Sequence, residues 1–345
     1  MPGCDIIMPV WNQPELTRNC IDSLEKNTHF PYRLIVVDNA SNPETVEYLE
    51  SLKIRFKDKM VLVKNEKNEG FVKAVNKGLT LSDARFVCIL NNDTVVTAGW
   101  LSEMVKLFDA DPSIGIVNPS SNSLGQKLPR GVGIDEYAET MKSQSGRSSE
   151  LPSALGFCML VERFLFRQIG QLDELYGMGN YDDTDFSLRA KRAGVKIVRA
   201  YGSYVYHREK SSFKVLRGST KSFEKNKEIF ESRWGPMKRT AVILKDTNPD
   251  SLKRLMGIIK KHAKSRYWIY VISPPLDTQE FFANISNLTF YQFKNFFYTF
   301  AFFKILFKKK KPHLIYCDNR VFCSFLNGFK AMHKASLRMM ERDTV

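Results

Sequence analysis

The chain has 345 residues, 43% of them hydrophobic, and carries 52 Lys and Arg against 37 Asp and Glu for a net charge of +15. Length and apolar content exclude one small domain and a wholly disordered chain, and they suit a large domain followed by a smaller one. The charge is uneven, with 18 basic and 7 acidic residues in 240–345, an excess of 11 that fits an anionic partner without saying which.

Cys4, Cys20, Cys88, Cys158, Cys317 and Cys323 are scattered through mostly apolar runs with no CxxC spacing, so reduced, buried thiols are expected. The first residues lack the basic, apolar and small-residue series of a signal peptide. A cytoplasmic protein is therefore expected.

Cys4 to Val10 is an apolar run containing Pro9 and reads as a buried first strand. A helix follows, with Pro14 in its first turn and Leu16, Cys20, Ile21 and Leu24 on one face. Residues 33–37 form a second buried strand that delivers Asp38-Asn39-Ala40-Ser41 to its C-terminal end. Helix is expected over 44–52, strand over 60–64, helix over 71–79 and a further buried strand over 85–90, which delivers Asn91-Asn92-Asp93. This alternation predicts βαβ units and a parallel sheet. Ligands bind such sheets outside the carboxyl ends of the strands, so Pro9 to Asn12, Asp38-Asn39 and Asn91 to Asp93 should line one crevice of nucleotide size. Each segment is also ordinary turn chemistry. Their coincidence on three strands of one sheet is what points to a site.

Residues 120–153, rich in Ser, Gly and Pro, read as a loop, either a lid or acceptor loop or a plain surface excursion. An apolar run over 154–161 and a helix over 163–169 come next. Then Asp182, Asp183 and Asp185 crowd together before a helix over 184–193 that Gly194 stops. Crowded carboxylates repel one another, which favours a metal, a proton or several hydroxyls among them. The plainer alternative is an acidic first turn that complements the helix dipole. Strands over 195–198 and 204–207 follow, the second ending at His207.

A series of short motifs runs through the first 240 residues. In order they are Ile6-Ile7-Met8-Pro9-Val10-Trp11-Asn12, Val36-Val37-Asp38-Asn39-Ala40-Ser41, Asn68-Glu69-Gly70-Phe71 running to Asn76-Lys77-Gly78, and Leu90-Asn91-Asn92-Asp93. Gly156-Phe157-Cys158-Met159, Gly170-Gln171-Leu172-Asp173-Glu174, the acidic cluster and Val205-Tyr206-His207 complete it. In order and spacing this region resembles the inverting family-2 glycosyltransferases, in particular the rhamnosyltransferase-like branch of bacterial surface polysaccharide biosynthesis.

The resemblance implies a GT-A fold: a nucleotide-binding, Rossmann-like, mostly parallel sheet flanked by helices. It implies transfer from a dTDP- or UDP-sugar to a hydroxyl of a glycan or lipid-linked oligosaccharide. Pro9, Asn12, Asp38, Asn68, Gly70 and Asn92 then fall to the donor nucleotide. Asp93, the final acid of a DxD-like motif, His207 and Asn91 fall to Mn2+ or Mg2+. Asn91 replaces the first acid of that motif, which lowers the charge at the metal but keeps an oxygen ligand. Asp183 matches the catalytic base, the group that takes the acceptor's proton as the new bond forms. Asp182, Asn180, Gly156 and Asp173 are expected around acceptor or donor sugar. Asp185 is expected to cap the helix, and Arg189 to lie on a solvated helix face or reach a phosphate.

The expected domain boundaries are 1–238 and 239–345. In the second part, strands over 240–245, 267–273 and 313–317, helices over 251–263 and 291–307 and a final helix suggest a smaller Rossmann-like α/β domain. It is similar to the opening of a GT-B glycosyltransferase and can be a portion of one. Residues 293–307 hold seven phenylalanines and run into Lys308 to Lys311. That stretch is short for a membrane span of about 20 residues. It suits either a buried helix or a helix lying peripherally on the cytoplasmic face of a membrane. Without a nucleic-acid-binding motif, nucleic acid is not an expected partner. A catalytically inactive sugar- or nucleotide-binding relative is the alternative to an enzyme.

Overall fold

A computed structural model describes residues 3–208, 220–263, 267–276 and 287–340. The chain divides into two compact units, Met1–Arg233 and Trp234–Val345.

In the first unit the strands are β1 (Cys4–Val10), β2 (Tyr32–Asp38), β3 (Met60–Lys64), β4 (Phe86–Leu90), β5 (Thr94–Val96), β6 (Ile114–Ser120), β7 (Ser148–Glu150), β8 (Cys158–Glu162) and β9 (Lys196–His207). The helices are α1 (Pro14–Asn27), α2 (Pro43–Phe56), α3 (Phe71–Thr80), α4 (Trp100–Ala110), α5 (Ile134–Met141), α6 (Phe164–Ile169), α7 (Asp182–Arg192) and α8 (Thr220–Trp234). Strand order is β3-β2-β1-β4-β8-β6-β9-β5, with β7 on β9. The β3-β2-β1-β4 half is parallel, as the sequence predicts, because helices cover its connections. The other half is mixed: β8 runs antiparallel between β4 and β6, and β5 runs antiparallel to β9.

β1, β2 and β4 are almost wholly buried, which explains their near-continuous apolar sequences. In register, Val10 lies opposite Asp38 and Asp38 opposite Lys64, so these strands end level with one another. Pairing of β1 with β4 reaches only Ile7, and Pro9, which has no N–H to give, falls beyond it.

The described elements correct three expectations. Residues 120–153 are not one loop: they contain α5 and β7. Of α5 only Ala138 is buried, and the stretches on either side of it are rich in Ser and Gly, so the segment reads as loop. The two strands expected at 195–198 and 204–207 are one, β9. The helix expected over 291–307 starts only at Phe297, because residues 288–292 pair as an edge strand.

The second unit is a five-stranded parallel sheet of β10 (Lys238–Ile243), β11 (Tyr267–Ser273), β12 (Leu288–Gln292), β13 (Leu314–Cys317) and β14 (Ser336–Met339), in the order β12-β11-β10-β13-β14. Its helices are α9 (Pro249–Ala263), α10 (Phe297–Leu306), α11 (Arg320–Asn327) and the short α12 (Lys330–His333). Ile243, Ile272 and Ile315 face one core cluster, Val242, Val271 and Tyr316 another, which is the period-2 alternation of a sheet covered on both faces. All six cysteines are free, and all but Cys323 are buried. Among the described residues no helix is long and apolar enough to cross a membrane.

Candidate active site

The level ends of β1, β2 and β4 open onto a cavity of about 510 Å³, a size typical of small-molecule sites. Pro9, Asn68, Asn91, Asn92, Asp93, Gly156, Asn180, Asp182, Asp183 and His207 line it, so ten of the residues singled out in the sequence come together. Asn12, Asp38, Gly70 and Asp173 are not among the lining residues.

Those four hold the walls in place. The Asn12 side-chain oxygen accepts the Asn42 N–H at 2.7 Å, and the Asp38 carboxylate accepts the Ser41 N–H at 3.0 Å. Gly70 has φ +90, and a Cβ there would sit 2.7 Å from the Gly177 carbonyl oxygen. Only glycine fits, because both the left-handed backbone and the close approach exclude a side chain. Asp173 accepts the Leu175 N–H at 3.0 Å and pairs with Arg233 at 2.7 Å. Burial pushes its pKa up, but the Leu175 N–H and Arg233 outweigh that and hold it below the usual carboxylate range.

Asn39 joins two of the walls. Its amide donates to the Asn68 side-chain oxygen at 2.8 Å and to the Gly70 carbonyl at 3.2 Å. Its own oxygen accepts from Asn65 at 2.9 Å and from the Glu69 N–H at 3.0 Å. This buried hub locks the loop before α3 against the end of β2. The sequence places Asn39 at the crevice, where it does lie, but gives no local sign that it is the hub joining these walls.

Asp93 and His207 meet because β5 and β9 pair with Thr94 opposite His207. His207 Nε2 lies 3.1 Å from Asp93 Oδ1 and Nδ1 lies 3.0 Å from Ser123 Oγ. The ring stacks on Phe157 with centroids 4.9 Å apart. Asn122 clamps the His207 backbone from both sides, accepting its N–H at 2.8 Å and donating to its carbonyl at 2.7 Å. Among the described residues, the buried side-chain oxygens Asn91 Oδ1 and Asp93 Oδ1 accept no hydrogen bond, and Asp93 Oδ1 meets only the His207 ring. Two such oxygens beside an imidazole nitrogen are a donor set suited to a divalent cation, since buried acceptors otherwise find donors. Among the described residues no group of three or more His, Cys, Asp or Glu side chains is gathered as a metal site, so any such ion would lean on the Asn91 amide and on its ligand's own oxygens.

Across the lining, Asp182 and Asp183 open α7. The two residues before them, Asn180 and Tyr181, both have positive φ (73 and 70), which turns the chain sharply into the helix. Asp183 accepts the Gly156 N–H at 3.0 Å and two bonds from Thr184, N–H at 2.6 Å and hydroxyl at 3.2 Å. Burial raises the pKa of both acids. Asp182, which also feels the charge of Asp183, is pushed up to about 8. Asp183 has a hydroxyl and a distant N–H aimed at its carboxylate, whereas Asp182 is helped only by N–H groups of its own turn. The carboxylate of Asp183 is therefore the better stabilised of the two, and Asp182 is the better place for a proton.

Asp185, expected to cap this helix, does something else. Tyr181 occupies the N-cap position, and Asp185 is fully buried behind it. It pairs with Arg189 at 2.8 Å and Arg233 at 2.9 Å, and Tyr176 Oη lies 3.4 Å away. Arg189 also donates to the Ile169 and Gln171 carbonyls at 2.6 and 2.8 Å, so it is neither a solvated residue nor a phosphate ligand.

Comparison with known proteins fits this geometry. Residues 5–170 match the family described as Glycosyl transferase family 2. Over 236 residues, 61% of this chain, it is 25% identical to the O-antigen biosynthesis protein RfbC of Myxococcus xanthus. Over 112 residues, 31% of this chain, it is 29% identical to Protein CgeD of Bacillus subtilis. The matches span only 18% and 26% of those two relatives. Among solved structures, S. aureus TarS 1-349 in complex with UDP-GlcNAc superposes with a TM-score of 0.50 at 18% identity, covering 66% of this chain and 65% of that one. The first unit has the GT-A fold, and residues 5–170 within it are similar to Glycosyl transferase family 2.

Proposed function

We propose that the chain is an inverting glycosyltransferase that moves a sugar from a nucleotide-sugar donor, a dTDP- or UDP-sugar, to a hydroxyl of a glycan or lipid-linked oligosaccharide. One observation carries the reading: a single cavity is lined both by Asn91, Asp93 and His207 and by the neighbouring acids Asp182 and Asp183. The match to RfbC, whose name concerns O-antigen biosynthesis, supports a role in surface polysaccharide assembly and the rhamnosyltransferase-like branch.

In this reading Asp183 takes the acceptor's proton as its oxygen bonds to the anomeric carbon, while the bond to the leaving phosphate oxygen breaks and the electron pair departs with the nucleoside diphosphate. The Gly156 N–H and Thr184 fix the Asp183 carboxylate in place. Asp182, carrying the proton, donates to a sugar hydroxyl, and Asn180 lies beside it in the lining. Pro9, Asn68 and Asn92 border the nucleotide, while Asn12, Asp38 and Gly70 hold the loops around it. Asp93, His207 and Asn91 would hold Mn2+ or Mg2+, which when bound neutralises charge on the diphosphate.

A hydrolysis and binding screen across nucleotide sugars, with Mn2+ or Mg2+ present, tests the proposal. Slow donor hydrolysis by the wild-type chain is expected for at least one of them. If none binds or turns over, the reading fails; binding without turnover, with or without sugar acceptors, would identify an inactive sugar-nucleotide-binding module.

A further inference from the structure

Helix α10 of the second unit is apolar on both sides. Phe297, Ala301 and Ile305 are buried, whereas Phe296, Phe300, Phe303 and Phe307 are 79%, 47%, 51% and 69% exposed. Spacings of three and four residues place Phe300, Phe303 and Phe307 along one stripe, with Phe296 exposed at the N-cap before it. Phe325 of α11, 52% exposed, joins them through Phe302, whose ring centroid is 5.4 Å away. Contiguous exposed phenylalanines mark an interaction surface, because a water-facing surface gains nothing from them.

The same segment is strongly basic. Residues 293–311 contain six lysines and no Asp or Glu. Lys304 and Lys308 border a groove of about 370 Å³ whose other walls are Phe293, Phe300, Phe303 and Phe307. Their ammonium groups lie over the Tyr291 ring at 4.1 and 4.6 Å, and Lys309 and Lys310 are exposed at the end of the helix.

We propose that this face docks on an anionic lipid bilayer, with the phenylalanine stripe seated at the headgroup boundary and the lysines against lipid phosphates. An in-plane helix with aromatic residues on one side and lysines beside them has the composition of an interfacial anchor. Charge decides against a second copy of this chain, since a symmetric contact through this face would set its lysines against one another. Ring geometry decides against single-stranded nucleic acid, which needs open ring faces for bases. Phe300 already stacks on Phe293 at 5.0 Å and Phe303 on Phe307 at 5.8 Å.

Co-sedimentation of the 345-residue chain with vesicles tests this, using phosphatidylcholine alone and an equal mixture with phosphatidylglycerol. Binding to the mixed vesicles only, weakened by added salt, is the expected result. The double variants F303S/F307S and K309E/K310E should each lose roughly tenfold or more in vesicle affinity. The lysine variant changes only exposed side chains, so it reports on docking even if the phenylalanine variant folds poorly. Melting temperature and turnover of soluble substrates should stay at the wild-type level in the lysine variant. No binding to either vesicle, or equal binding to both, overturns the proposal. So does a dimer in light scattering that F303S/F307S dissolves, or tighter binding to single-stranded RNA than to the mixed vesicles.

Discussion

The two sides of α7 put the same side chain to opposite use. At its start, Asp182 and Asp183 line a cavity, keep few compensating cations near them and have raised pKa values. Two residues on, Asp185 is fully buried and pairs with Arg189 and Arg233. The difference shows what a carboxylate needs to do chemistry. An acid matched with guanidinium partners is tied into the fold, while one in a cavity without them can hold or receive a proton. Arg233 links the two sides, since it also binds Asp173, and its helix α8 reaches the loop before the acids: the Asn226 amide donates to the Tyr176 and Gly179 carbonyls at 2.8 Å each.

Substitutions on the two sides should therefore fail differently. On the cavity side, Asp183→Asn is expected to lower transfer by about a thousandfold while leaving donor affinity near wild type, because a general base contributes roughly 10² to 10⁴ in rate. Steady-state kinetics beside calorimetric donor titration would check it, and retained turnover would move the base elsewhere. Asp93→Ala should show the other pattern, a loss of about tenfold or more in metal-dependent donor affinity. Calorimetry with and without Mn2+ separates the two.

On the packed side, Arg189→Met should leave Asp185 short of a partner and cost about 3 kcal/mol of stability, the penalty of breaking a buried pair. Denaturant unfolding would measure it. Equal stability would mean that Arg233 alone suffices, and the contrast between the two faces would narrow.

A further effect is expected with pH. A carboxyl whose folded pKa is raised contributes stability that is fully present below its unfolded pKa, about 4, and is lost as pH rises towards the folded value. For Asp182 that window runs from the ordinary carboxylate range to about 8. Asp182→Asn cannot ionise, so its melting temperature should gain on wild type between about pH 5 and pH 9. A constant difference across that range would place the proton on another group.

Much of the site was legible because strands β1, β2 and β4 announce themselves as unbroken apolar runs, and the polar residues after them must emerge at one edge of a parallel sheet. Asp93, His207 and Asp183 could be named from their motifs alone. Gly70 and Asp173 sit in equally recognisable motifs, yet the chain uses them for a close backbone approach and an ion pair with Arg233. The α5 segment was misread as loop because so little of it is buried. The helix expected over 291–307 starts only at Phe297 because its first residues alternate aromatic and polar, with no helical period to set them apart from strand.

Sequence by itself determined the alternation of strand and helix, the polar strand ends, the crowded acids and the basic, aromatic second unit, since each depends on residues near one another in the chain. Tertiary structure alone decided which acids keep company. Whether Asp182, Asp183 or Asp185 meets a cavity or an arginine depends on partners such as Gly156 and Arg233, 27 and 48 residues away along the chain from Asp183 and Asp185. Burial and charge pairing are set by what folds against a side chain, and the local sequence does not encode that.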